Sequence, residues 1–140
     1  MTRLTLEFAL RVIDGALGRA AELGCAPLTV VVLDAGGHDI AVKRQDGSGI
    51  LRVDIARGKA WGALGMGFSS RELGERAQKF PAFVGALASV SQGRLVPAAG
   101  GVLIFDDERN VVGAVGISGD TSDRDEDCAL IGVRAAGLQP

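Results

Sequence analysis

The sequence predicts an α+β domain built on an antiparallel sheet, and three observations carry that prediction. Two pairs of short apolar runs, Leu28–Leu33 with His38–Arg44 and Val102–Phe105 with Val111–Ile117, are each joined by a polar or glycine-rich turn, as in a β-hairpin. The segments before, between and after them carry helical periodicity and helix caps. Hairpins early and late in a chain, with helices between, give an antiparallel sheet rather than alternating parallel units. At 140 residues the chain suits one domain, residues 1–140, long enough for a real core.

Thr5 is placed to cap a first helix, with Glu7 in the first turn, where the helix dipole favours a carboxylate. Leu6, Ala9, Leu10, Ile13, Leu17 and Ala20 form its apolar stripe, and Gly24 is placed to end it. Leu28–Leu33 is apolar on both faces, as a central strand covered on each side must be. Asp34-Ala35-Gly36-Gly37 turns the chain, with Asp34 in the position of an Asx-type turn. His38–Arg44 then alternates, placing Ile40 and Val42 on one face.

After a loop at Gln45–Gly49, a helix from about Ile50 to Met66 puts Arg52, Ala56, Lys59 and Ala63 on one stripe. Gly58, Gly62 and Gly65 each cost a helix up to ~1 kcal/mol against Ala, so something is expected to pack closely there. Ser69-x-x-Glu72 is a capping box for a short helix through about Ala77. Phe80-Pro81 breaks it, and Ala82–Val90 is a further apolar helical stretch. Gln92–Ala99, containing Pro97, reads as a loop or short edge strand. Ser122 is the expected cap of the last helix, with Asp123 and Asp125 in its first turn and Cys128, Ile131, Gly132 and Ala135 facing inward.

Composition removes several function classes. A formal net charge of −2, five Phe, one Trp and no Tyr offer neither the basic surface nor the stacking platforms of a nucleic-acid binder. No apolar run reaches the roughly 20 residues needed to span a bilayer, and no secretory signal pattern opens the chain, so a cytoplasmic protein away from membranes is expected. Cys25 and Cys128 stand apart rather than in a paired motif, and are expected as reduced, buried thiols. The acidic run Asp120, Asp123, Asp125, Glu126 and Asp127 is not a calcium loop. Counted from Asp123, the positions that need Gly and Glu hold Cys128 and Arg134. A single histidine, His38, excludes a metal centre built from several imidazoles of one chain, and no metal site is expected.

The stretch Gly100–Gly119 (GGVLIFDDERNVVGAVGISG) is unusually rich in glycine for a hairpin. Glycine weakens a strand, so its repeated use marks a bend or the close approach of another backbone or a ligand. The same stretch resembles the GlcG/HbpS-like family, small bacterial proteins also found as the C-terminal domain of PduO-type adenosyltransferases. The matching residues are Gly100-Gly101, then Val112-Gly113-Ala114-Val115-Gly116-Ile117-Ser118-Gly119, then Asp125, Ala129 and Gly132. Ile55-Ala56-x-x-Lys59-Ala60 and the first hairpin, ending before Asp46-Gly47, extend the likeness over essentially the whole chain. It implies a profilin-like fold, a five-stranded antiparallel sheet between helical layers, and assembly into dimers or larger homo-oligomers.

Lys59 is the residue this reading singles out. A lysine among small residues is either a snorkelling side chain or an ammonium held at a cavity, and the family motif favours the second. Arg52, Asp46, Gly47, Gly100, Gly101, Ser118 and Gly119 lie at strand or loop ends placed to converge beside it, where glycine-rich turns can cradle an anion. The leading expectation is a small-ligand-binding protein with its pocket between the Lys59 helix and the Gly100–Gly119 hairpin. The resemblance makes haem or another tetrapyrrole the first ligand to try, with His38 the axial candidate. Lys59 as the proton-transfer group of an isomerase, hydratase or lyase acting on an oxo-acid is the catalytic alternative. A purely structural or sensory partner is the third. Self-association is expected from the apolar residues Trp61, Met66, Phe68, Phe80, Phe83, Val84 and Leu87, with Gly58, Gly62 and Gly65 letting a second helix approach.

Overall fold

A computed structural model describes residues 3–140. Its elements, in chain order, are α1 (Leu6–Leu23), β1 (Thr29–Asp34), β2 (Asp39–Arg44), α2 (Arg52–Met66), α3 (Ser70–Lys79), α4 (Pro81–Val90), β3 (Gly101–Phe105), β4 (Val111–Ser118) and α5 (Ser122–Ala135). The strands form one antiparallel sheet in the order β2-β1-β4-β3. The two most apolar strands, β1 and β4, are therefore central, and each is buried on both faces.

The sheet has four strands among the described residues, not the five that the family resemblance implied. The outer edge of β3 shows why a fifth is not needed. Ser70, in the first turn of α3, accepts the Gly101 N–H (2.7 Å) and donates to the Gly101 carbonyl (3.3 Å), so one side chain replaces a partner strand. At the other end Phe105 and Gln139 exchange backbone hydrogen bonds of 2.7 and 3.1 Å, a single bridge from the chain's end. An edge covered in this way offers little to a further strand. The Gln92–Ala99 segment is a loop that packs on α2 instead, with the Val96 N–H donating to the Gly58 carbonyl at 3.2 Å.

One face of the sheet carries Val30, Val32, Val102, Ile104, Val115 and Ile117 beneath α1 and α5. The other carries Val31, Leu33, Leu103 and Ala114 beneath Ala56, Ala60 and Ala63 of α2. Helix α2 approaches until its backbone touches the strands. A Cβ placed on Gly116 would lie 1.9 Å from the Ala56 carbonyl oxygen, and one on Gly101 would lie 2.3 Å from that of Lys59. Small residues also govern the α1–α5 crossing, where a Cβ on Gly132 would meet the Val12 carbonyl oxygen at 2.4 Å.

Several local details differ from expectation. The buried stripe of α1 is Ala9, Val12, Ile13, Ala16 and Ala20, turned so that Leu6 is exposed. Thr121, not Ser122, caps α5, accepting the Arg124 N–H, and its inner face is completed by Ala129 and Val133 rather than Ile131 and Ala135. Gly58 and Gly62 make room for Val96 and Leu95 of the 92–99 loop, not for a second helix. A Cβ on Gly65 would meet nothing within 4 Å.

These contacts set two substitutions in opposite directions. Gly116→Ala should destabilise the protein by about 3 kcal/mol or more, because overpacking against a fixed backbone has no outlet. Gly18→Ala, in open space on α1, should stabilise it by about 0.5–1 kcal/mol. Urea midpoints measure both, and equal effects at the two positions would contradict the packing.

Candidate functional site

The residues singled out in the sequence fall at two opposite ends of the sheet. Arg52, Lys59, Gly100, Gly101, Ser118 and Gly119 gather where β4 ends and β3 begins, with Asp46 and Gly47 on the neighbouring β2–α2 loop. His38 lies on the β1–β2 turn at the other end. The length of the six-residue strand β1 separates the two ends, roughly 17 Å at the usual rise per residue.

At the first end Lys59 is sealed in. Its Nζ donates to the Ile117 carbonyl (2.9 Å) and to Asp125 Oδ2 (3.3 Å), and the two side chains are only 3% and 1% exposed. Asp125 Oδ1 accepts the Asp120 N–H at 3.0 Å, so both carboxylate oxygens are engaged. Lys59 comes from α2 on one face of the sheet and Asp125 from α5 on the other, so the pair joins the two layers around the end of β3. Gly100, with φ +132°, leaves the passage: a Cβ there would sit 2.8 Å from Nζ. Burial pushes the ammonium below its ordinary value, the Asp125 charge pulls it back up, and nearby Arg52 lowers it again. The space between α2 and the β3–β4 hairpin, where a pocket was expected, is filled by direct backbone contact at Gly101 and Gly116. Gly101 and Gly116 therefore admit a helix backbone.

The other residues of that end have ordinary partners. Arg52 Nη1 donates to Ser118 Oγ at 3.0 Å, and beside it Thr29 and Ser48 share a buried hydroxyl–hydroxyl bond of 2.8 Å. Gly119 takes φ +154° against the Pro27 carbonyl, and Gly47 takes φ +85° in its turn.

The acids of α5, which the sequence explained only by helix-start electrostatics, are distributed over three helices. Asp127 binds Arg19 of α1, Asp125 binds Lys59 of α2, and Asp123 and Glu126 share Arg71 of α3. Partners so distant in sequence leave no local signal that could have found them. Among the described residues no group of three or more His, Cys, Asp or Glu could hold a metal ion.

At the second end the β1–β2 turn builds a different arrangement. Asp34 Oδ1 accepts the backbone N–H groups of Gly36 (2.9 Å) and His38 (3.0 Å), the Asx turn anticipated from sequence, and also contacts His38 Nδ1 at 3.2 Å. The His38 N–H chiefly holds the Asp34 carboxyl below its ordinary value, so it remains an acceptor at neutral pH. A carboxylate on Nδ1 fixes the imidazole tautomer with its lone pair on Nε2, and the side chain is 81% exposed. The ring stands against Gly36, where a Cβ would meet Cε1 at 3.0 Å. Gly36 in turn lines a cleft of about 360 Å³ with Leu4, Ile40, Val112 and the cation Arg3. Carboxylate–imidazole orientation of this kind is how proteins prepare a histidine to bind a metal.

Comparison with known proteins agrees with the architecture. A family model described as "Haem degrading protein HbpS-like" matches residues 4–134. The corrinoid adenosyltransferase PduO of Salmonella typhimurium is 32% identical over 123 residues, which cover 88% of this chain and 36% of PduO, so the chain spans about a third of that relative. The crystal structure of a PduOC–haem complex superposes with a TM-score of 0.88 at 28% identity, covering 98% of this chain and 97% of that one. A double mutant of Streptomyces reticuli HbpS gives a TM-score of 0.80 at 27% identity, covering 96% and 87%.

The Lys59 pair yields a stability test. Lys59→Met strands a buried carboxylate and should cost about 3–5 kcal/mol. Combining it with Asp125→Asn removes the stranded charge, so the double variant should lose clearly less than the sum of the two single ones. Additive losses in urea unfolding would show that the two residues do not act as a pair.

Proposed function

The chain belongs to the HbpS-like family, and we propose that it is a small haem-binding protein whose iron ligand is Nε2 of His38. The observation that carries this reading is the Asp34–His38 pair, an exposed imidazole oriented through its other nitrogen and standing against Gly36, which with Asp34 lines a largely apolar cleft. The solved PduOC–haem complex, which shares the fold over nearly the whole chain, makes haem the tetrapyrrole to try first. Leu4, Ile40 and Val112 offer apolar surface to a porphyrin edge, and Arg3 offers a cation to a propionate. Bound haem would supply redox and oxygen chemistry through its iron, while the chain contributes orientation of the imidazole and one charge. No helix among the described residues is long and apolar enough to cross a membrane.

Helix α4 supports self-association. Of its side chains only Val84 is buried, while Phe83 and Val90 are 60% and 78% exposed, and Phe80 at its start is 59% exposed. Trp61, half-buried beneath the Arg94 guanidinium, and Met66 border a small apolar hollow that continues this surface past Leu87. A second copy of the chain is the partner that such an apolar helix most economically meets.

Haemin titration followed in the Soret region tests the first proposal. His38→Ala should abolish the ligation-dependent Soret shift, and Asp34→Asn should weaken affinity about 10-fold or more by releasing the ring. Superimposable spectra for wild type and His38→Ala would remove the assignment. Light scattering at micromolar concentration tests the second: a mass above that of the monomer is expected, falling to the monomer in Phe83→Glu. A monomer mass in wild type at every concentration would overturn it.

A further inference from the structure

We propose that the cleft between α1 and the end of β2 is a second ligand site, which binds small organic monocarboxylates carrying an apolar tail. It measures about 630 Å³, inside the range of about 300–1,000 Å³ usual for small-molecule sites. It lies beside α1 at the end of β2 remote from His38. The site is therefore separate from the proposed haem site and does not depend on it.

The two walls of the cleft differ in chemistry. Leu17 of α1, with Cys25 and Pro27 of the α1–β1 connection, makes an apolar wall, while Lys43, Arg44, Gln45 and Asp46 make a polar one. Three of those four residues have hydrogen-bond donors to offer. Gln45 commits its side-chain carbonyl oxygen to the Leu28 N–H (2.8 Å), which leaves the amide NH2 as its unused end. Arg44 Nη1 donates to the Ser48 carbonyl (2.7 Å), and among the described residues the guanidinium has no carboxylate partner. Lys43 Nζ meets Asp14 at 3.1 Å, but the two side chains are 46% and 67% exposed, so this ion pair yields to a competing anion at little cost.

The frame of the cleft is formed before any ligand arrives. The Ser48 N–H donates to the Gln45 carbonyl (3.0 Å), so the polar wall ends in a hydrogen-bonded turn. Opposite it, the Cys25 N–H donates to the Ala20 carbonyl (3.0 Å) and the Ala26 N–H to Asp120 Oδ1 (2.9 Å). Leu28 and Gln45 join the two walls directly, because the Gln45 N–H also donates to the Leu28 carbonyl at 2.9 Å. A ligand entering such a frame has few side chains to order, which keeps the entropic cost of binding low.

The donors define the head of the ligand and the apolar wall its tail. A guanidinium and an amide NH2 on adjacent residues suit the two oxygens of a carboxylate, and Lys43 supplies a further positive charge. Leu17 and Pro27 offer the surface that takes a hydrocarbon chain out of water, a gain of about fourfold in affinity for each methylene group fully buried. Asp46, on the same wall, selects against a second negative charge. A phosphate monoester, close to a dianion at neutral pH, is therefore the poorer fit. Cys25, half-buried in the apolar wall, takes no chemical part and serves as a reporter of occupancy.

Hexanoate is the probe, added to the full chain without haem, so the outcome is independent of the haem assignment. Amide NMR spectra should show saturable shifts centred on Leu17, Cys25 and Lys43–Asp46. Alkylation of Cys25 by N-ethylmaleimide, located by peptide mapping, should slow with the same half-saturation concentration. Arg44→Gln should weaken hexanoate binding about 10-fold or more by removing a charge-assisted hydrogen bond, while amides outside the cleft keep their wild-type positions. Neutral hexanamide and hexyl phosphate should both bind more weakly than hexanoate. Shifts that grow linearly without saturating, or that centre on Asp34–Ile40, would overturn the proposal. So would equal affinities for hexanoate and hexanamide, tighter binding of hexyl phosphate, or an Arg44→Gln variant that binds hexanoate as wild type does.

Discussion

Helix α2 lies nearer to the sheet than any side chain on the facing strand positions would allow, and much of the molecule follows from that approach. Gly101 and Gly116 face each other across β3 and β4, and their missing Cβ atoms are the room into which the Lys59 and Ala56 carbonyls fit. Alanines on α2 complete the contact at Ala60 and Ala63. A layer built from backbone and methyl groups makes many dispersion contacts at short range and leaves no gap to be filled by a larger side chain. The same proximity lets a lysine on α2 reach around the end of β3 to an aspartate on the opposite layer.

That reach gives the polar end of the sheet its character. A buried ammonium and carboxylate stabilise little beyond an apolar pair of similar size, but removing either one alone is expensive. The Lys59–Asp125 pair therefore fixes how the two helical layers are placed relative to each other. Around it, α5 uses its remaining first-half acids to hold Arg19 and Arg71, so one helix is tied electrostatically to three others. An exposed imidazole on a tight turn, free of such ties on its outer nitrogen, is the group at the opposite end with chemistry left to offer.

Much of this was legible in the sequence, and the boundary of what was legible has a physical cause. Hairpins, caps and the two-faced apolar run of β1 show in residues a few positions apart, so the Ser69 cap, the Asp34 turn and the glycine-opened β3 read directly. That the hairpin glycines admit something close was also readable, but whether a ligand or a helix was not, since glycine signals space without naming its occupant. Lys59 stood out among small residues, yet its partner lies 66 residues away and looked like an ordinary helix-start acid. The five-stranded expectation came from family resemblance. It failed because a serine side chain and a single terminal bridge cover the edge of β3, and neither has a strand's pattern. His38 gave least away, because its value rests on Asp34 approaching Nδ1 across a turn, a matter of side-chain direction that spacing does not express.

The proposed haem site at the Asp34–His38 turn and the Lys59 end are different places, the first open and the second closed by packing. Ferric haem broadens nearby nuclear resonances through its unpaired electrons, so amide spectra recorded during haemin addition locate it directly. Broadening should centre on Asp34–Ile40, Leu4 and Val112, while the amides of Gly100, Gly101, Ser118 and Gly119 keep their intensity. Broadening centred on Lys59, Gly100 and Ser118 instead would contradict the account, placing the ligand where α2 and the glycine hairpin are in contact.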